Sequence, residues 1–219
     1  MERLNLLSCQ VQCAAANLFV VDDFYEDPAS IRSFALNCEF RRSSFTVTDA
    51  LVSTLRHPAA TSTLQRIGEV IGVAPNLDAP DRMQKFWGYT GCGEFQVRLK
   101  DTPKPGWAHS HNDGEWVGLV YLTSPEHCGE KIGTYLLEHK KLKVRHFNQV
   151  EGYMMQQLKL DSPKLQDWNV VAAPRMKFNR LVVFDSRHFH AESGGFGKTV
   201  EDGRIVQVFN FRGSALKAM

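Results

Sequence analysis

The sequence predicts a mainly β protein in which a few helices near the N-terminus precede an antiparallel β core. Helical patterns lie before about residue 80, whereas strand-length runs rich in β-branched and aromatic residues follow from about residue 86. Helices that come first, with strands afterwards, favour an antiparallel core with the helices packed outside it.

The N-terminal part begins with a short strand over residues 18–21, followed by an acidic turn and a helix. Asp27 and Pro28 form a helix start, because the carboxylate can cap free backbone amides and proline suits the first turn. Apolar residues then recur on one helical face, at Ile31, Phe34, Ala35 and Cys38. A second amphipathic helix is predicted over residues 60–71, before a turn region at 72–80.

The predicted strands of the core are short apolar runs separated by turns. They cover residues 86–89, 95–99, 117–122, 134–137, 180–184 and 205–211. Between them lies a more polar insertion at about 140–174, which could hold a short helix and act either as a lid or as an ordinary surface excursion.

Composition places the chain among folded globular proteins. Its 219 residues are 43% apolar and 23% charged, which predicts a single domain over residues 1–219. The formal charge of +2 lacks the concentrated positive field that nucleic-acid binding requires, so a small-molecule or peptide partner is favoured. We see no membrane-length apolar run and no signal-peptide pattern, and we expect a cytoplasmic protein. Oligomeric state is not indicated.

Five cysteines are spread widely and match no paired zinc-ribbon spacing. We therefore expect reduced thiols.

The first segment that suggests chemistry is Trp107-Ala108-His109-Ser110-His111-Asn112-Asp113. On an extended strand, side chains two residues apart project to the same face, so His111 and Asp113 could reach one metal ion. A turn in which Asp113 caps backbone amides explains this pair equally simply, and the motif alone does not decide.

The second segment is an apolar strand that runs into His188 and His190. A glycine-rich turn at 194–197 follows, and then a strand that begins near Arg204. Two histidines and one carboxylate can fill one face of an octahedral Fe(II), which leaves the opposite face open. An arginine offers a bidentate, permanently charged partner for the carboxylate of an organic acid.

The order His-x-Asp, a long interval, His and then Arg resembles the Fe(II)/2-oxoglutarate-dependent oxygenase superfamily, and is most similar to its prolyl-hydroxylase-like branch. The resemblance covers roughly residues 86–211. Val120-Tyr121-Leu122-Thr123 resembles the tyrosine-bearing strand that follows the first ligand pair, and Gly133-Thr134 resembles a glycine-marked turn and the next strand.

The resemblance implies a double-stranded β-helix (jelly roll, cupin-like) core over 86–212, with residues 17–80 packed on it. It implies that His111, Asp113 and His190 bind Fe(II) and form the catalytic centre. Arg204 would pair with the far carboxylate of the cosubstrate 2-oxoglutarate, with help from Tyr121 and Thr134.

The implied activity is O2-dependent hydroxylation of an unactivated C–H bond in a small molecule, amino acid or peptide, with release of succinate and CO2. Desaturation or ring formation would use the same ligands. Two departures loosen the link to proline: Thr123 stands where the family often has asparagine, and Arg204 stands where prolyl hydroxylases proper use lysine.

Neighbouring residues compete for these roles. His109 shares a strand face with His111, where we expect it to be a wall or to hydrogen-bond a ligand, and His188 shares one with His190. Arg98 and Arg212 are the alternatives to Arg204. The remaining histidines have polar neighbours in sequence and are expected to be solvated, namely His57, His127, His139 and His146.

Two other functions fit the same residues. One is a cupin-like protein that binds or senses a ligand without catalysis. The other is a zinc-dependent hydrolase that uses the same triad to activate water.

Overall fold

The computed structural model describes residues 9–13, 17–42, 50–77, 91–102, 107–111, 115–128, 131 and 133–215, with backbone only over 9–13. The strands in these ranges are β1 (Cys9–Cys13), β2 (Leu18–Val21), β3 (Phe40–Arg42), β4 (Leu51–Arg56), β5 (Val73–Pro75), β6 (Cys92–Arg98), β7 (Trp116–Tyr121), β8 (Thr134–His139), β9 (Trp168–Ala172), β10 (Arg180–Asp185), β11 (His190–Glu192), β12 (Arg204–Phe211) and β13 (Gly213–Ala215). The α-helices are α1 (Pro28–Leu36), α2 (Ala60–Ile71), α3 (Pro125–Cys128) and α4 (Met155–Asp161), with 3-10 turns at Phe147–Gln149, Gly152–Met154 and Leu165–Asp167.

The strands form one large antiparallel sheet and two smaller ones. The large sheet has the order β1-β2-β10-β7-β12-β6-β4-β3, and β11-β8-β9 form the second sheet. A short pair, β13 and β5, completes the pairings. Strands distant in sequence are neighbours in the large sheet, as in the pairs of β10 with β2 and β12 with β6. This crossed antiparallel order is the pattern of a jelly roll.

Three apolar layers hold the sheets and helices together. Along β10, Leu181 and Val183 face the cluster that contains α1 and α2, while Val182 and Phe184 face the cluster that reaches β8. The alternation follows from the two-residue period of a strand, and both faces of the large sheet are therefore covered. A third cluster packs the outer side of the small sheet against the insertion.

The two predicted helices are confirmed. The Asp27 side chain accepts a hydrogen bond from the amide of Ser30 at 3.0 Å, and Pro28 occupies the first turn of α1. Helix α2 buries Leu64 and Ile67 against the sheet and ends at Gly72, whose φ of 70° suits glycine.

The predicted strands after residue 90 are also present, with boundaries shifted by a few residues. The strand predicted over 86–89 lies outside the described residues. Within the insertion we predicted a short helix, which is α4, but missed β9, which pairs with β8 and extends the small sheet.

No helix within the described ranges is long and apolar enough to cross a membrane. Among the described side chains, Cys38, Cys92 and Cys128 form no disulfide bond.

Candidate metal and diacid site

A short backbone pairing brings the two histidine segments together. The amide of His109 donates to the carbonyl of His190 at 2.9 Å, and the amide of His190 donates back to the carbonyl of His109 at 2.8 Å. Residues opposed in this way project their side chains to the same face. The amide of His111 is fixed by the carbonyl of Ser186 at 2.9 Å, so both segments meet at one place.

The side chains of His109, His111 and His190 form what we call the histidine cluster. Each offers one ligand atom, and these atoms lie within 4.8 Å of one another. The ring centroids of His109 and His190 are 4.3 Å apart, and those of His111 and His190 are 5.0 Å apart. Among the described residues this is the group that could hold a metal ion.

Hydrogen bonds fix which ring nitrogen two of these histidines present. Nδ1 of His109 donates to the carbonyl of Trp107 at 2.7 Å, and Nδ1 of His190 donates to the carbonyl of His188 at 2.7 Å. Because a carbonyl oxygen can only accept, the proton lies on Nδ1 and the lone pair remains on Nε2. Metal-binding histidines commonly use this arrangement.

Burial favours the neutral form of His190 and His109. It lowers the pKa of His190 well below its usual value, and the neighbouring His109 and His111 lower it further. The pKa of His109 is also lowered by burial, against the opposing effects of the Trp107 carbonyl and the Glu192 carboxylate. Neutral imidazoles are the form that binds a metal.

Of the predicted ligands, the structure therefore brings His111 and His190 together, and Asp113 lies outside the described residues. His109, which we expected beside a ligand, is a member of the cluster itself. His188 is not: its carbonyl supports His190, while burial, followed by the nearby His146, lowers the pKa of its side chain to about 4.

A buried network of two arginines and one glutamate follows the cluster along β11. Arg204 and Arg98 lie opposite each other on β12 and β6, and their exposed fractions are 2% and 1%. One oxygen of the Glu192 carboxylate lies 2.7 Å from Nε of Arg98, and the other lies 3.3 Å from Nη1 of Arg204. Two guanidinium cations and one carboxylate leave this network with one net positive charge.

The other predicted cosubstrate residues surround Arg204. Its Nη2 donates to the carbonyl of Gly133 at 3.1 Å, and its guanidinium carbon lies 6.0 Å from the ring centroid of Tyr121. The hydroxyls of Tyr121 and Thr134 are 3.2 Å apart and hydrogen-bonded. Arg204, Tyr121 and Thr134 therefore occupy one buried region.

Thr123 holds the backbone on either side of Arg204. Its hydroxyl accepts from the amide of Ile205 at 3.0 Å and donates to the carbonyl of Gly203 at 3.1 Å. This residue, which departs from the resembled pattern, thus fixes the point where β12 begins.

Glu192 links the histidine cluster to the arginines. It lies two residues after His190 on β11, so the two side chains share a strand face. Sequence reasoning missed Glu192 and left Arg98 as a competitor of Arg204, whereas both arginines contact the same carboxylate. The signal in the sequence that could have indicated Glu192 is its position two residues after His190. Arg212, the other competitor, is exposed beyond the end of β12.

The prediction that His139 is solvated is wrong. It is 1% exposed, its Nδ1 accepts from the amide of Leu142 at 3.1 Å, and its Nε2 lies 3.2 Å from a carboxylate oxygen of Asp161. The ring packs edge-on against Trp168. The polar neighbours of His139 in sequence gave no sign that the insertion folds over it.

The insertion also supports the first histidine segment. The amide of Ala108 donates to the carbonyl of Ser162 at 2.9 Å, and the Ser162 hydroxyl donates to the carbonyl of Ala108 at 2.5 Å. Ala108, Leu158 and Phe189 lie in the same apolar cluster. The insertion therefore packs against the backbone segment that carries His109.

Comparison with known proteins gives the fold. No family model matches the chain, and no curated protein is similar to it in sequence. The solved structures that match it include two at TM-scores above 0.5. The non-heme alpha-ketoglutarate-dependent carbocyclase SnoK from nogalamycin biosynthesis has a TM-score of 0.54 and 10% identity, over 91% of this chain and 80% of that one. HygX from Streptomyces hygroscopicus, with nickel and 2-oxoglutarate bound, has a TM-score of 0.53 and 12% identity, over 91% of this chain and 83% of that one.

A Pseudomonas putida prolyl-4-hydroxylase aligns at a TM-score of 0.43 with 12% identity, over 91% of this chain and 94% of that one. That score is too low to connect the chain with one branch. At these identities the matches establish the shared double-stranded β-helix fold, which confirms the predicted fold class.

Proposed function

We propose that this protein is a mononuclear non-haem Fe(II)- and 2-oxoglutarate-dependent oxygenase. The single observation that carries the proposal is the placement of the histidine cluster and the positively charged Arg98–Glu192–Arg204 network along one face of β11. A metal centre adjoining a buried anion site is what a chelating organic diacid requires. SnoK, which shares the fold, is named as an alpha-ketoglutarate-dependent carbocyclase. The structure of HygX, which also shares the fold, contains bound nickel and 2-oxoglutarate.

The residues present fit an iron ion. His111 and His190 would supply two imidazoles, and Asp113 would supply the carboxylate of the facial set. The neutral His190 imidazole, whose Nδ1 is held by the His188 carbonyl, is ready to bind a divalent metal without losing a proton. When bound, Fe(II) would supply the activation of O2 and the oxidative decarboxylation of the cosubstrate.

The arginine network would orient the cosubstrate. Arg204 would bind its far carboxylate, since its Nε is buried and has no hydrogen-bond partner among the described residues. Because Glu192 neutralises only one of the two arginines, the network would accept one further negative charge. The hydroxyls of Tyr121 and Thr134 would contribute additional polar contacts.

The proposed reaction is hydroxylation of an unactivated C–H bond. The substrate would be a small molecule, an amino acid or a peptide, and O2 and 2-oxoglutarate would be consumed while succinate and CO2 are released. The protein would act in a reducing compartment such as the cytoplasm, since Cys38, Cys92 and Cys128 form no disulfide bond among the described residues.

Turnover of the cosubstrate tests this proposal. Protein loaded anaerobically with Fe(II) and then exposed to O2 and 2-oxoglutarate should form succinate, and the His190→Ala variant should form none above the background of free iron. His127→Ala, which removes a histidine outside the cluster, should behave like the wild type. Succinate formation that is equal in all three proteins would refute the assignment.

A zinc hydrolase is the second candidate, because three imidazoles are also the protein ligands of some catalytic zinc sites. Hydrolysis of an activated ester by the zinc-loaded protein without O2, together with no succinate from the iron-loaded protein, would favour it.

A further inference from the structure

His109 is the residue of the histidine cluster for which the proposed triad has no role. Its ring lies closer to His190, at 4.3 Å between centroids, than the His111 ring does at 5.0 Å. It is also held as firmly as His190, since each has Nδ1 bound to a carbonyl two residues earlier in the chain at 2.7 Å. His109 thus has the same local support as a predicted ligand.

The protonation state of His109 and His190 leaves each with a nitrogen that can bind a cation. With each Nδ1 bonded to a carbonyl, Nε2 is the nitrogen that His109 and His190 each have left for a metal, in a cluster whose ligand atoms lie within 4.8 Å of one another. Neither Nε2 carries a proton to donate, so the two are acceptors only. A divalent metal in the cluster would satisfy both nitrogens.

We infer that His109 is a third imidazole ligand of the metal when no cosubstrate is bound. The inference rests on the proposed function only in requiring that a metal binds to the cluster. The resting site would therefore contain three histidine ligands, His109, His111 and His190, rather than two.

The proposed triad of His111, Asp113 and His190 does not include His109. His109 is therefore the histidine that we assign to be replaced when a chelating cosubstrate binds.

Counting the bound imidazoles tests the inference. The probe is Cu(II) bound at one equivalent to the full chain, with nitrogen couplings measured by pulsed electron paramagnetic resonance. We expect three coordinated imidazoles in the wild type, two in His109→Phe and three in the control His127→Asn. Phenylalanine keeps an aromatic ring at position 109 and removes both nitrogens.

A count of two imidazoles in the wild type overturns the inference, as does an unchanged count in His109→Phe. Metal affinity alone does not distinguish a ligand from a supporting residue, because loss of a residue that only supports a ligand already weakens metal binding by roughly 10- to 100-fold. If His109→Phe does not fold, the wild-type count still decides. The measurement needs neither 2-oxoglutarate nor turnover, so the two proposals can fail separately. A count of two imidazoles would not refute the oxygenase proposal, and a lack of succinate formation would not refute a count of three imidazoles.

Discussion

Replacement of Arg204 by glutamine should weaken 2-oxoglutarate binding while leaving the metal bound. The substitution removes a guanidinium that is 2% exposed and reduces the network from one net positive charge to none, because Glu192 remains paired with Arg98. The retained Arg98–Glu192 pair, at 2.7 Å, should keep the fold intact.

The expected loss follows from the contact that disappears. A hydrogen bond to a charged group contributes about 1.5–3 kcal/mol, and about 1.4 kcal/mol corresponds to a tenfold change in affinity. Arg204→Gln should therefore raise the Kd of 2-oxoglutarate roughly 10- to 100-fold. Metal affinity should change less than about threefold, since the arginine contacts no member of the histidine cluster in the described structure.

Calorimetric titration of 2-oxoglutarate into anaerobic Mn(II)-loaded protein measures this loss directly. Arg212→Gln is the matched control, because it removes an exposed arginine just beyond the same strand and should leave Kd unchanged. A Kd for Arg204→Gln within twofold of the wild type would refute the reasoning. A large rise for Arg212→Gln instead would move the anchor to that residue.

Three further changes test other parts of the structure. Gly133→Ala should weaken 2-oxoglutarate binding at least about tenfold in the same titration, since its Cβ would lie 2.1 Å from the hydroxyl of the fully buried Tyr121; unchanged binding would show that this region does not contact the diacid. Phe209→Ala should lower the free energy of unfolding by about 3–5 kcal/mol in a denaturant titration, because the side chain is fully buried, and a loss below about 1 kcal/mol would contradict its place in the core. Asp22→Asn should destabilise the protein by about 0.5–1 kcal/mol at pH 7, because the Arg180 guanidinium lowers the pKa of the Asp22 carboxyl in the folded state. That contribution is complete above the unfolded-state pKa near 4 and is lost as pH falls through the lower folded-state pKa, so a difference between wild type and variant that persists at pH 2 would contradict it.

Local patterns were sufficient for much of the fold. The stripe that includes Ile31 and Ala35 and the cap at Asp27 each act within a few residues, so the sequence alone predicts α1. The same holds for β12, whose run of β-branched and aromatic residues and flanking turn are local features. The missed strand β9 is five residues long and lies at the edge of the small sheet, where Trp168 is its only buried residue.

The site depended more on contacts between distant strands. The motif and the resemblance predicted His111 and His190, but the role of Glu192 requires β6 to lie beside β12, which brings Arg98 opposite Arg204. No local pattern specifies that neighbour. The support that Ser162 gives Ala108 is equally non-local, since 54 residues separate them.

The sequence motif around His109 did not predict that this residue lies next to His190. Its position two residues before His111 predicted a shared strand face, whereas its proximity to His190 follows from a backbone pairing across 81 positions of the chain, from 109 to 190. Such a pairing could not be read from either segment alone.

The central claim is that the metal and the organic diacid bind in one pocket. It is tested most directly by titrating 2-oxoglutarate into metal-free and Mn(II)-loaded protein under identical anaerobic conditions. We predict one binding site per chain and an affinity at least about tenfold higher with the metal, lost in His190→Ala. Equal affinity with and without metal, or binding unaffected by His190→Ala, would contradict the account.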